Sequence, residues 1–528
     1  MLLQRDPHDR NAPRHGYVLL AVLSVIVVLT LAAFQYSDLM QAESVAADRL
    51  RKATEAKAYA DSGIHYAMAF LSDRDSFLNT LGSNPYDNPT FFEAITLTEG
   101  PSPRGTGMFS LYTPDYSADA STGGQLPMRF GVTDEASKIN INALFDLDST
   151  GRLLHDTLMK LPGMTDEIAY SIVDWLDPDD LEQPGGAERP HYTGLEPPYS
   201  PKNGPLSTLE ELLFVKGVTK DLLFGTDLNR NGRTDAGEDG ANGFSPGWAA
   251  YLTVYSREKN VDNEGNARIN INGNDLATLQ TDLIEAVGED VATHILAYRL
   301  YGANPPQQSG KGQSITQTQA NYMAIKLIVD KAIADQQQGR NRISSLFALY
   351  QGGIYVPYAG ADQNGRPVNI TFYKESFLAD PGYAAEILPL MLDKLTTQNA
   401  TDLPARINVN TAPREVLLAL PSITEEDVDA ILSVRPVFSG GESVSVDYDT
   451  PAWLITQASL PPQVVQAMDR YITARSSVFR LQSIGYFAEG GPIARVEAVI
   501  DTNNGLPRIL YYRDLTEMSR SLDPRIVP

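Results

Sequence analysis

Gly16-Tyr-Val-Leu-Leu-Ala-Val-Leu-Ser-Val-Ile-Val-Val-Leu-Thr-Leu-Ala-Ala-Phe34 carries no charge, follows Arg5, Arg10 and Arg14, and precedes Asp38 and Glu43. As a helix its residues after the glycine span about 27 Å, close to the roughly 30 Å of a bilayer's hydrocarbon core. The basic flank predicts that the N-terminus stays in the cytoplasm and the rest of the chain crosses. A cleaved secretory signal, cut near Leu31-Ala-Ala33, is the competing reading of the same run. Periodicity decides against it, because Ala47, Leu50, Ala53, Ala56, Ala60, Ile64, Ala67 and Leu71 continue at three- and four-residue spacing. One helix over 17–72 is therefore expected to run from membrane into solvent.

A short polar leader, a glycine directly before an apolar stretch and an amphipathic continuation resemble the N-terminus of type IV pilins. The resemblance implies cleavage by a prepilin peptidase after Gly16, with Tyr17 as the first mature residue. Most pilins carry glutamate at the fifth mature position, where this chain has Ala21.

The whole chain of 528 residues carries 42 Lys plus Arg against 66 Asp plus Glu, a formal charge of -24. That surplus disfavours nucleic acid and anionic lipid and favours cations. With 42% hydrophobic and 20% charged residues the chain has a globular composition, and without cysteine it has neither disulfides nor thiol chemistry. The six histidines show no His-x-x-x-His spacing, and no GxSxG or phosphate-loop lysine motif occurs, so no enzyme is expected.

The tetrad Ile139-Asn-Ile-Asn142 returns as Ile269-Asn-Ile-Asn272 and Ile407-Asn-Val-Asn410, an internal repeat. In the first and third copies two helical segments flank Leu161-Pro-Gly-Met164 and Leu420-Pro-Ser-Ile423, with Thr165 and Thr424 placed as N-caps. These read as helix-hairpin-helix (SAM-like) units. Such hairpins grip nucleic-acid phosphate through a glycine-rich turn, but here Thr165 and Thr424 replace the second glycine, and Asp166, Glu167, Glu425, Glu426 and Asp427 follow. An exported DNA-binding protein is thus the rival reading, and no nucleic-acid partner is expected.

Between hairpins, Asp174-Trp175 with Asp177 and Asp179, Pro184-Gly-Gly186 with Glu188, Pro197-Pro-Tyr199, Asn203 to Leu206, and Val215 with Gly217 succeed one another in order. This segment resembles minor pseudopilin K of bacterial type II secretion, whose family also lacks the glutamate at mature position five. The resemblance implies an α+β fold: a type IV pilin-like transmembrane helix and β-sheet head with a large inserted α-helical domain. It divides the chain into a leader (1–16), the long helix (17–72), a head (73–135 and 437–528) and an insert of three hairpin repeats (136–436). It implies a subunit at the tip of the pseudopilus that primes assembly, partnered by minor pseudopilins I and J, other pseudopilins, the prepilin peptidase and inner-membrane lipid, with secreted cargo or the secretin as further contacts. The bulk would lie in the periplasm. A minor pilin of a related type IV pilus shares these features.

One pattern is legible without any family. Asp227-Leu-Asn229-Arg-Asn231-Gly232-Arg233-Thr-Asp235-Ala-Gly-Glu238 fits the calcium-loop pattern D-x-[DN]-x-[DN]-G-x5-E at every fixed position. Asp227, Asn229 and Asn231 supply side-chain oxygens, Arg233 a carbonyl, Asp235 an oxygen through water and Glu238 a bidentate carboxylate for Ca2+. The GANGFSPGW that follows makes a poor exiting helix, so a structural clip is expected. Asp174, Asp177 and Asp179 form a candidate site for a second cation. At the C-terminus, SVFRLQSIGYF and the stretches flanking Asn504-Gly505 alternate as strands.

Overall fold

The apolar run and its continuation form a single helix, His15–Ser72, 58 residues long. The chain has neither glycine nor proline between Gly16 and Gly63, so nothing interrupts the hydrogen-bond ladder. In this computed structural model, residues 15–100, 102–116, 126–231, 238, 245–303, 316–319, 322–361, 367–503 and 505–518 are described. The first half of the helix is exposed among the described residues, with Tyr17, Leu19, Val28 and Phe34 all more than 60% exposed. Burial begins at Ala56, and Ala56, Ala60, Ile64, Ala67 and Leu71 are buried, while Leu50, from the same periodic series, stays exposed.

What they bury against is an antiparallel sheet with strand order Ile95–Thr98, Gly107–Pro114, Val478–Phe487, Ala494–Asp501, Arg508–Asp514. Small residues bring helix and sheet together. A Cβ on Gly63 would lie 2.2 Å from Ser483 Oγ, and one on Gly485 would lie 2.0 Å from the Ala56 carbonyl. Lys57 to Asp514 (2.6 Å) and Tyr512 to Asp61 (2.8 Å) close the edge.

Thr133–Asp134 pairs with Val478–Phe487, so the chain leaves the sheet and re-enters it on the same rung. Between these points lies the helical region, with one contiguous apolar core that includes Trp175, Trp248 and Trp453. This core extends past position 436. Residues 438–444 return to the head, where Phe438 packs on Tyr86, but helices Trp453–Thr456 and Pro462–Met468 belong to the helical core.

The repeat is deeper than its tetrads. Each tetrad opens a unit that a two-residue parallel strand closes in the same register: Ile139 and Asn140 opposite Leu252 and Thr253, Ile269 and Asn270 opposite Leu395 and Thr396, Ile407 and Asn408 opposite Ile472 and Thr473. The fourth residue clamps a distant backbone in every copy. Asn142 exchanges hydrogen bonds with Leu206, Asn272 does so with Ile343, and Asn410 donates to the Tyr448 carbonyl. A cation precedes each tetrad: Lys138, Arg268 and Arg406. Arg406 pairs with Glu258, which lies after the first unit, and Arg268 donates to the Asp393 carbonyl near the end of its own unit.

The helix pairs are Arg152–Leu158 with Asp166–Leu176, Leu276–Val287 with Glu289–Tyr301, and Arg414–Leu418 with Glu425–Val434. Thr165 caps the Ile168 N–H, and Thr424 forms a capping box with Asp427. The second pair turns on Gly288 alone, at φ +85°. Sequence periodicity did not show the three-stranded sheet of Thr316–Gln319, Ile354–Ala361 and Pro367–Lys374.

Candidate cation sites and the junction they border

Asp174 sits on the last turn of helix Asp166–Leu176, and Asp177 caps its C-terminus. Pro178 then turns the chain outward, and Pro184-Gly-Gly186 brings it back to Glu188, which opens the helix Arg189–Thr193. The return requires glycine, because a Cβ on Gly186 would fall 2.0 Å from Asp174 Oδ2. The turn is fastened by Gln183 and Ala187 N–H groups donating to Asp174, and by Lys216 Nζ donating to the Gly185 and Gly186 carbonyls.

The result is three buried carboxylates, Asp174, Asp177 and Glu188, each offering an oxygen within 4.8 Å of the others. Both oxygens of Glu188 and Oδ1 of Asp177 are buried without a hydrogen-bond partner. Burial first, then mutual repulsion, raises Glu188 to about 7; burial raises Asp174 and Asp177 to about 6. Buried charges of one sign with orphaned lone pairs are costly unless a cation joins them. An all-oxygen set without nitrogen or sulfur suits a hard dication such as Ca2+.

Asp179, expected in this group, is not part of it. It is exposed beyond the Pro178 turn and accepts the Leu181 N–H instead. Glu188 takes its place. The signal was in the sequence, as a glutamate two residues after a glycine pair, but nothing in local spacing says which aspartate it would meet.

The 227–238 loop follows helix Lys220–Phe224, and its neck is closed by Thr226 and Ser245. Asp227 and Asn231 are buried; the Asn231 N–H donates to both Asp227 Oδ1 and Asn229 Oδ1. Glu238 Oε1 accepts the Leu228 and Asn229 N–H groups, which brings the last position of the pattern against the first ones. Arg233 and Asp235 lie outside the described residues. The next helical element described is the short 3-10 turn Trp248–Ala250.

This loop borders a buried ionic junction between the helical region and the head. Glu135 pairs with Arg480 (2.6 Å) and Lys138 (3.6 Å), and Glu497 pairs with Arg480 (3.4 Å) and Arg230 (2.8 Å). Arg230 also reaches Glu210 (3.0 Å), which accepts the Tyr511 hydroxyl. Arg480, half-buried, is held charged by Glu135 and Glu497, and Glu135 is drawn down to about 2 against its burial by Arg480 and Lys138.

Residues 137–224 match the family model of type II secretion system protein K. That stretch is similar to type II secretion system protein K. It contains Asp174, Asp177 and Glu188, and the 227–238 loop follows it directly. Among solved structures the chain is similar to the GspK-GspI-GspJ complex of the enterotoxigenic Escherichia coli type 2 secretion system, with a TM-score of 0.35 and 13% identity, over 88% of this chain and 97% of that one. No curated protein matches the chain.

Gly16 and Tyr17, the expected processing pair, lie in the first turns of the long helix, and Tyr17 is 84% exposed.

Proposed function

We propose that the chain is a membrane-anchored minor pseudopilin of type II secretion, a structural component and not an enzyme. The observation that carries this is one continuous helix whose apolar half packs on nothing and whose other half seats an antiparallel sheet, interrupted by a helical region that holds the protein K segment. An apolar helix of that length left bare in water is untenable, so a bilayer covers it. The basic residues before it favour an inner-membrane anchor with the bulk in the periplasm.

On this reading a prepilin peptidase cuts after Gly16, and the subunit joins minor pseudopilins I and J at the tip, where it primes assembly and meets cargo or secretin. A helical filament has little room for so large an insert at every subunit, which favours the tip. N-terminal sequencing of the mature protein tests the processing, with Tyr17 expected first; any other start ends the pilin reading. Immunogold labelling of the full-length chain should mark filament ends only, and labelling along the shaft would refute the tip position.

Calcium belongs to the same proposal, at Asp174, Asp177 and Glu188 and in the 227–238 loop. Calorimetry on the detergent-solubilised chain should lose one class of site with Glu188→Gln and the other with Glu238→Gln. Unchanged titrations would refute both assignments. The rival DNA-binding reading is opposed by helix N-termini already occupied by Thr165, Thr424 and Asp427, and low-salt retention of duplex DNA would restore it.

A further inference from the structure

A cleft of about 80 Å³ lies where the second and third repeat units meet, and four arginines line it: Arg268, Arg406, Arg470 and Arg475. Chain order puts them there. Arg268 and Arg406 each stand directly before a tetrad, and Arg470 and Arg475 flank Ile472–Thr473, the strand that closes the third unit. Neighbouring carboxylates do not cover all four. Arg406 forks onto Glu258, with Nε 2.8 Å from Oε2, and has Asp469 as a second opposite charge. Arg475 pairs with Asp393, donates to the Val261 carbonyl and has Asp449 as its second. Asp449 and Asp469 also border the cleft, where burial raises both above the ordinary carboxyl range. Among the described residues Arg268 and Arg470 pair with no carboxylate; Arg470 is exposed over the Tyr471 ring, and Arg268 donates only its Nε, to the Asp393 carbonyl at 3.0 Å. The terminal nitrogens of Arg268 are left over, and burial, then Arg475 and Arg406, draw this guanidinium down to about 10.

A second observation does not depend on charge. Thr450 borders the same cleft, is 4% exposed, and holds a buried hydroxyl with no hydrogen-bond partner. A half-buried cation repelled by its neighbours and an orphaned hydroxyl are both destabilising until one ligand meets them. We infer that this cleft binds a small inorganic oxyanion of the phosphate class, gripped by the Arg268 fork and the Thr450 hydroxyl. A water needs roughly 10 to 15 Å³ of such space, so the cleft has room for an ion of a few heavy atoms. The planar guanidinium matches two oxygens of a phosphate. A tetrahedral ion keeps a third oxygen for Thr450, which a carboxylate lacks. Hydrogen phosphate also carries a proton to donate to Asp449 or Asp469, and sulfate has none to give. Because residues of the second and third units line the cleft, the bound ion ties those units together and stabilises the helical region by mass action.

The test titrates inorganic phosphate into the full chain in detergent micelles by calorimetry, at constant ionic strength and without added Ca2+. Saturable binding at one site is expected, tighter than that of sulfate or acetate, and phosphate should raise the thermal transition of the helical region. Arg268→Gln removes the unpaired fork and should weaken phosphate at least tenfold; Thr450→Val keeps the shape, removes only the orphaned hydroxyl and should weaken it at least threefold. The valine variant also keeps the test open should Arg268→Gln fail to fold, because no protein group loses a partner. Arg152→Gln, at a remote site whose side chain is 85% exposed, should bind as the parent does. Absence of phosphate binding by the parent overturns the inference. Unchanged affinity in Thr450→Val and in a folded Arg268→Gln chain places the ion elsewhere and overturns it as well. Sulfate or acetate binding as tightly as phosphate overturns the assignment to the phosphate class, and an equal loss in Arg152→Gln reduces the binding to unspecific charge.

Discussion

Replacing Asn410 by alanine probes the device that the three repeat units share. Its side-chain amide donates to the Tyr448 carbonyl at 2.8 Å and the Ala474 carbonyl at 3.2 Å, and its oxygen accepts the Trp453 indole N–H at 2.9 Å. Asn410 is 8% exposed and Trp453 is 0% exposed, so water does not replace these partners at once. Three buried polar groups left unsatisfied cost about 1 kcal/mol each, and the vacated volume adds about 1 more, giving about 4 kcal/mol in all. At roughly 2 to 4 °C per kcal/mol for a large domain, the transition of the helical region should fall by about 8 to 16 °C. Asn142→Ala, which loses its reciprocal pair of bonds to Leu206, should cost roughly half as much. Exposed Asn399→Ala should change little and serves as the control. Differential scanning calorimetry of the solubilised chain reads all three. If Asn410→Ala melts within 2 °C of the Asn399→Ala control, the clamp does not hold the unit together and the repeat has no energetic meaning.

Glu135 has its folded pKa drawn below its ordinary value, to about 2, so its contribution is present above pH 4.5 and is lost as pH falls toward 2. Urea midpoints between pH 5 and 3 should therefore fall in the parent and flatten in Glu135→Gln, which should also lose about 3 kcal/mol at pH 7 by leaving Lys138 without its carboxylate and Arg480 with Glu497 alone. Gly63→Val forces a side chain against Ser483, Phe109 and Leu111; overpacking of about 1 to 3 kcal/mol should loosen the long helix, read as faster proteolysis within 56–71. Gly186→Ala places a methyl where Asp174 Oδ2 stands and should remove one calcium site in calorimetry while leaving the loop's titration intact.

The features legible in the sequence were those carried by local periodicity. The apolar run, its amphipathic continuation, the Thr165 and Thr424 caps and the C-terminal strands each rest on residues within a few positions of one another, and all stand in the structure. What stayed hidden was non-local. The closing strands at Leu252, Leu395 and Ile472 are two residues long and carry no pattern of their own; they are strands only because a tetrad lies beside them. The exchange of Asp179 for Glu188 has the same cause, since Pro178 and the Gly185-Gly186 return decide which carboxylates meet. The end of the helical region was misplaced because the chain visits the head at Phe438 and then goes back. Local composition at 437–452 records the visit, and only the core shared by Trp453 and Met468 records the return.

Phe479 stands opposite Asp134 and Arg480 opposite Thr133, so the first entry into the helical region and the last exit from it lie on a single rung of the sheet, and the chain also visits the head at 438–444. Two adjacent strands at one rung make a hinge, and such a body would swing about it unless fastened elsewhere. Much of the fastening is polar, with ion pairs from Arg230 to Glu497 and Arg513 to Glu210 and hydrogen bonds from Tyr511 to Glu210 and from Arg495 to the Asn229 and Arg230 carbonyls, beside an apolar contact of Tyr255 with Val478 and Val499. An apolar interface of similar extent would hold at any pH and without metal. A buried ionic one is strong only while every partner is present and charged. The acid surplus thus has a structural consequence. Where carboxylates meet arginine they lock the helical region to the head, and where they meet one another, at Asp174, Asp177 and Glu188, burial and repulsion raise their pKa values toward neutrality. Seating of the helical region should accordingly weaken as the junction's carboxylates are protonated, a dependence that hydrophobic packing alone would not confer.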